Sequence, residues 1–524
     1  MAFLSSVFFA ACVSAVALYI FISKLVVWQR LRHIPGPPWA GWSKLWLVRH
    51  QIGGRLCLDL PAVCEKYGQC VYSTLKYRQT AIADDSTGYT TGPLARIGPK
   101  WVVCGDPAEI RRIWNVHSGY QRAPWYQGYR FDPNSDSILT ATDNKEHHHI
   151  KVHLLPGYMG RGQGGQEQVV DREILNFIRL IERKYLSDRT GTRPMDMGRT
   201  LQYLTQDVTS AVEFGKAFGY IQDNDDSFGV IDALESMQLP CALMALLPPL
   251  LAVVKLPMIQ RLLPKPGDKT GVGRMLGLVR DHVAERYGEK PVKNADALQS
   301  FVESGLTRDQ VEAEALVHLL GGSDTTATAL RCSIFYVATN PQVYRRIQAE
   351  IDAALPTATR PVVADTEAKN LPYIQAVIKE TLRMWPPITG LMPKISAKND
   401  VICGKEVPAG TFVAWSAMTV MKSTAVFGAD ADVFEPARWL ETDAKQLREM
   451  EATQGLVFMA GTRWECLGRK LAYVEMGKVL FELFARFDFS MTNPVKPFDW
   501  TNFGFTNHKH MNVKITRRGT SESK

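Results

Sequence analysis

The chain has 524 residues, 46% hydrophobic and 22% charged, which excludes a disordered, collagenous or small disulfide-stapled protein and leaves room for a large core. Its net charge of +8 suits a lipid surface or an acidic partner, while the sequence offers no basic, aromatic-lined stretch that would mark a nucleic-acid binder. The nine cysteines are odd in number, widely spaced and free of any CxxC, which argues for reduced thiols rather than a zinc ribbon or a disulfide framework.

In chain order, the first element is directed to a membrane. Residues 1–23 form the expected anchor: 22 of them, 2–23, carry no charge and as a helix reach about 33 Å, enough to cross a bilayer core. Lys24, Arg30 and Arg32 follow, with Trp28 at the interface, so a single pass with a cytosolic body is expected. A cleaved signal peptide would carry a basic start and a shorter apolar run. Residues 24–41 read as a basic, proline-rich hinge ending in IPGPPWAG, which stops the helix and stiffens the connection. A catalytic body is expected over 42–516 and a polar tail over 517–524. Ser236–Val254 is also uncharged, but Pro240, Pro248 and Pro249 argue against a second straight span; it reads as an apolar flap or as buried core.

Within the body, 94–104 read as two short strands about Gly98-Pro99. Beyond residue 170 the periodicity is mostly helical. Thr307 and Gln310 make a capping box that opens a long helix ending at Asn340-Pro341. Pro372 opens another, ended by Pro386-Pro387, and 398–413 read as a hairpin. Residues 69–92 look inserted. A GxGxxG at 160–165 lacks the strand-turn-helix setting of a dinucleotide site, and the consecutive histidines at 147–149 point in different directions on a helix, against zinc. The expected class is mainly α with small β-sheets.

From Gly468 onward apolar positions recur at helical spacing, so Cys466 sits where a helix begins. Unpaired N–H groups and the helix dipole there stabilise a thiolate. Gly461 and Gly468 permit tight backbone near a flat ligand, and Arg463 adds positive charge. A thiolate so presented can ligate a haem iron; the plainer reading is an inert buried cysteine.

Phe458, Gly461, Arg463, Cys466 and Gly468 together resemble the haem-binding loop of the cytochromes P-450. Gly321-Gly322-Ser323-Asp324-Thr325-Thr326 resembles that family's oxygen-binding helix motif, Glu380-Thr381-Leu382-Arg383 its ExxR motif and Phe434–Trp439 its PxRW segment, all in the family's order. KETLRMWPP and RWECLG are similar to fungal microsomal members, many of which serve secondary metabolism.

The resemblance implies the cytochrome P-450 fold after one transmembrane helix in the endoplasmic reticulum. It implies haem b, with Cys466 as the axial ligand. Asp324 and Thr325 would relay protons to the distal oxygen, while Gly321 and Gly322 make room for dioxygen through local distortion of the helix. Glu380, Arg383 and Arg438 would be buried and hold the Cys loop. His147 and Lys151 stand at the positions of the haem-carboxylate pair, and Lys394 stands where an arginine is frequent. Electrons would come from NADPH through a separate reductase, with cytochrome b5 as a further donor, meeting basic groups such as Arg469, Lys470 and Lys478. The substrate would be an apolar small molecule of terpenoid, polyketide or alkaloid type. A haem-thiolate isomerase or dehydratase that does not use dioxygen is the alternative, disfavoured by Asp324-Thr325; an inactive haem sensor is disfavoured by the complete motifs.

The loop departs from the family pattern by one additional residue between phenylalanine and cysteine. Counting back from Cys466 puts Met459 at the Phe position and Thr462 at the Gly position. His318, seven residues before Thr325, shares its stripe with Glu314 and is expected to line the substrate chamber and bond a polar substrate group. The rival reading packs it against a neighbouring helix.

Overall fold

The computed structural model describes residues 2–68, 94–131, 135–161 and 165–519. Residues 69–92, the centre of the GxGxxG and the end of the tail lie outside the described residues. The chain divides into two compact units, Met1–Ala123 with Leu391–Val420, and Pro124–Gly390 with Met421–Lys524.

The first unit begins with the apolar helix Ala2–Arg30. Its Ala11–Arg30 part has a mean hydropathy of 2.0 and buries nothing within the chain, so by length and composition it can cross a membrane. The hinge that follows is bonded to the body. Arg96 donates to the Trp28, Gly41 and Pro99 carbonyls at 3.0, 3.1 and 2.9 Å. Trp28 stacks on Trp42 at 5.3 Å, and Arg30 donates to the Ala409 carbonyl at 2.6 Å. A Cβ at Gly36 would lie 1.9 Å from the Arg96 carbonyl oxygen, so only glycine lets the hinge pass. The unit's sheet has five strands in the order Leu94–Gly98, Trp101–Cys104, Phe412–Trp415, Lys394–Ser396 and Tyr120–Arg122. The strands about Gly98-Pro99 are as expected. The 398–413 hairpin is shorter: Asp400–Ile402 pairs with Lys405–Val407, and Phe412–Trp415 leaves to run parallel with Trp101–Cys104.

The second unit is built on the 32-residue helix Arg308–Thr339. Thr307 and Gln310 form the capping box that starts it, and Asn340 then caps the next helix. The long helix runs unbroken through Gly321-Gly322. It lies along Met197–Phe214, a helix buried at every position except Arg199. Pro372–Met384 and Arg469–Arg486 complete the frame around one large apolar cluster. Three antiparallel strands, Met195–Asp196, Asn512–Arg517 and Phe487–Met491, and the hairpin Asp499–Asn502 with Thr506–Lys509 are the minor sheets.

The second apolar stretch is two helices, Val230–Leu246 and Pro248–Val254, bent by 116°. Pro248 and Pro249 start the second one in a new direction. The first helix buries Cys241, Ala242, Ala245 and Leu246, whereas the second buries nothing. Each expected reading, core and apolar flap, therefore fits one half.

Candidate active site around Cys466

Cys466 precedes the helix Arg469–Arg486, with Gly468 at its N-cap. The loop before it folds on its own backbone. The Cys466 N–H donates to the Phe458 carbonyl at 2.9 Å, and the Thr462 hydroxyl donates to the Met459 carbonyl at 2.7 Å. Met459 and Gly461 both have positive φ, 52° and 71°. Glu465 closes the longer loop: its carboxylate accepts from the Gly461 N–H at 3.2 Å and from Arg469 at 3.0 Å. The Phe458 ring packs on Tyr473, 5.5 Å away, and Met459 is buried. Gly468 has an ordinary φ of −79°, and a Cβ there would touch only the Cys466 sulfur at 3.9 Å.

The sulfur is surface-accessible yet lies deep in the protein. Burial pushes the thiol pKa up; the Gly468 and Arg469 N–H groups bonded to the sulfur, and the Lys151 charge, pull it down. Lys151 also donates to the Arg463 and Glu465 carbonyls at 2.9 and 3.4 Å, so it clamps the loop from the helix Asn144–Tyr158. His147 is buried one turn earlier. Leu467, beside the cysteine, packs into the apolar cluster that contains Leu316 and Leu319 of the long helix. Lys394 belongs to the first unit, where its amine stands 5.6 Å over the Trp114 ring.

On the long helix the two glycines have separate reasons. A Cβ at Gly322 would come within 2.8 Å of the Thr209 hydroxyl, so Gly322 serves close packing of two helices. A Cβ at Gly321 would meet nothing within 4 Å, and Gly321 is exposed in a helix otherwise largely buried. The Thr325 hydroxyl, on the same open side, donates to the Gly321 carbonyl at 2.7 Å. Asp324 turns toward Met197–Phe214, accepting from the Gln202 amide at 3.0 Å. Burial raises its pKa, opposed by Arg331, whose guanidinium is 4.0 Å away.

His318 does not line a chamber. It is 5% exposed, with Glu213 at 3.2 Å and the Tyr158 and Phe301 rings at 4.8 and 6.0 Å. The stripe it shares with Thr325 is real, but two turns toward the helix start it is covered by three other helices. Glu314 on that stripe accepts from the Ile138 N–H. Lys478 is also corrected: it is fully buried between Glu167 and Asp171, both at 2.6 Å, and cannot meet a docking partner.

Glu380, Arg383 and Arg438 come together. The Glu380 carboxylate accepts from Arg383 at 2.7 and 2.8 Å, Arg438 at 3.0 Å and the Trp439 indole at 2.9 Å. Arg383 reaches on to the Met421, Ala431 and Val433 carbonyls. These bonds secure the 421–439 segment.

Sequence reading missed Gln202, Glu235 and Arg331. The first two come from separate helices and left no local signal. Arg331 did leave one, a charge seven residues beyond Asp324 in an otherwise uncharged helix half.

The site residues fit a haem-thiolate group: a sulfur with two N–H donors at a helix start, and an open, side-chain-free helix face at Gly321. A family model described as Cytochrome P-450 matches residues 96–513. Cytochrome P-450 monooxygenase ABA1 of Pyricularia oryzae is 35% identical over 517 residues, covering 95% of each chain. Monooxygenase abl1 of Leptosphaeria maculans is 33% identical, covering 91% of this chain and 83% of its own, and aba1 of Botryotinia fuckeliana 31%, covering 94% and 93%.

Proposed function

The chain belongs to the cytochrome P-450 family and is an oxygen-incorporating oxidoreductase of the monooxygenase type, and on that premise we propose that it oxidises an apolar small molecule in fungal secondary metabolism. The family carries a haem-thiolate cofactor and takes electrons from a redox partner. The more specific reading is haem b on Cys466, with NADPH supplying electrons through a reductase, assisted by cytochrome b5. The enzyme would sit in the endoplasmic reticulum membrane on its first helix, with residues 42–516 as the catalytic body in the cytosol. Hydroxylation, epoxidation or a multistep oxidation of a terpenoid, polyketide or alkaloid is the finer reading.

The observation that carries this reading is the Cys466 sulfur, bonded by the Gly468 and Arg469 N–H groups at the start of a helix. Bound there, a haem supplies dioxygen activation and the insertion of one oxygen atom, the other leaving as water. The two N–H groups and the helix dipole offset part of the cost that burial sets against a thiolate there. Lys151, through the Arg463 and Glu465 carbonyls, fixes the loop that presents it. The Thr325 hydroxyl, docked on Gly321, is held at the open side of the helix. Asp324, raised in pKa by burial, can carry a proton and pass it to that hydroxyl. Glu380, Arg383 and Arg438 keep the 421–439 segment in place.

The test is the reduced, carbon monoxide-treated spectrum of the full chain. A red-shifted band that Cys466→Ser abolishes, together with NADPH- and dioxygen-dependent turnover, is expected. A folded, haem-loaded chain without that band would sink the reading.

A further inference from the structure

Arg331 is 1% exposed, and none of its three guanidinium nitrogens finds a hydrogen-bond partner among the described residues. Its nearest opposite charge is Asp324, 4.0 Å away and about two turns back on the same helix. A buried cation with no hydrogen bond is expensive, and an apolar side chain would pack there at lower cost. The charges acting on it are Asp324, Glu235 and Asp196, and it in turn acts on the buried ring of His508. Burial with these neighbours does not satisfy its N–H groups. Water is the acceptor small enough to do so in the interior.

A line of polar atoms leads from there to solvent. The Gln202 amide nitrogen donates to Asp324 at 3.0 Å and to Glu235 at 3.4 Å, so it touches both carboxylates. The other Glu235 oxygen is 2.6 Å from the Lys509 amine, which is half exposed, while Arg199 stands 3.6 Å from the oxygen that accepts from Gln202. Asp324 adjoins Thr325, whose hydroxyl is already set on Gly321.

We propose that Glu235 is the proton inlet for Asp324, and that Arg331 is a positioning residue holding ordered water between the two carboxylates. The inference rests on the reading of Asp324 as a proton carrier. A proton from solvent binds a Glu235 oxygen, crosses through that water to an Asp324 oxygen, and passes to the Thr325 hydroxyl as that hydroxyl gives up its own to the water that dioxygen reduction would form on its open side. No electrons move along the line, and each group returns to its starting protonation state. Gln202 fixes the spacing of the carboxylates and carries no proton.

The experiment uses the full-length, haem-loaded chain in vesicles with an NADPH-dependent reductase. NADPH oxidation is followed in H2O and D2O, with peroxide released per NADPH, and the carbon monoxide spectrum reports integrity. Glu235→Gln and Arg331→Met should each slow NADPH oxidation about tenfold and raise the solvent isotope effect, with the spectrum unchanged. Arg331→Lys should recover part of the rate, and Asp232→Asn, on the exposed side of Arg199, should match the parent. Where Arg331→Met fails to fold, Glu235→Gln decides alone. Parental rate and isotope effect in both variants, with Asp324→Asn impaired, would overturn the inlet while leaving Asp324 its role. A parental Asp324→Asn would remove the reading underneath.

Discussion

Arg383 and Arg331 are both fully buried, and they are opposites. Arg383 donates to the Glu380 carboxylate and to the Met421, Ala431 and Val433 carbonyls, which occupies its whole guanidinium fork, and the Phe427 ring covers it at 5.0 Å. Arg331 has its nearest carboxylate at 4.0 Å and no hydrogen bond among the described residues. A satisfied buried ion holds neighbouring backbone in one arrangement; an unsatisfied one costs stability and calls for a use. The lesson extends to Glu213, which is fully buried with the His318 ring, at 3.2 Å, its one ion-pair partner among the described residues, and whose pKa burial lifts to about 7.

Breaking the satisfied site should give the largest effect. Arg383→Ala removes one of the two cations on the buried Glu380 carboxylate and leaves the Met421 and Ala431 carbonyls without their donor, and should cost about 3–5 kcal/mol, seen as loss of haem-retaining soluble protein or a collapse of the unfolding midpoint. Second comes Glu213. Because its folded pKa lies above the unfolded value, the folded state prefers the protonated form, and stability falls as pH rises from about 4.5 through 7. The groups facing it are His318 and, further off, Asp296. Glu213→Gln should flatten that fall by about 3 kcal/mol in denaturation curves taken across the range. Third, the paired glycines separate packing from charge. Gly322→Ala must displace Thr209 and should cost about 1–3 kcal/mol, whereas Gly321→Ala, with open space around it, should be neutral or gain up to about 1 kcal/mol. The smallest effect is expected at the unsatisfied site: Arg331→Met should leave the unfolding free energy within about 1 kcal/mol of the parent, or raise it. A loss as large as that of Arg383→Ala would erase the contrast.

What the sequence made legible was local. The capping box at Thr307, the strands about Gly98-Pro99 and the placement of Cys466 at a helix start each depend on a few neighbouring residues. The meeting of Glu380 with Arg383 follows from one turn of helix. What failed depends on which helix covers which stripe. His318 lies on the predicted side of its own helix, but three others close over it. Lys478 reads as a surface cation until Glu167 and Asp171 enclose it from a separate helix. Gly321 and Gly322 are adjacent in sequence, and only the position of Thr209 shows that one packs and the other faces open space.

The bonds at Arg30, Arg96 and the Trp28–Trp42 stack have a consequence for life at a bilayer. They make the amino-terminal segment a mast stepped into the five-stranded sheet rather than a leash. Were this helix set in a bilayer, tilting the mast would tilt that sheet with it, so lipid would fix not just how near the sheet stays but which way it leans. A graft of this segment onto another soluble protein would transfer the tether without the lean, because the sockets are in the sheet.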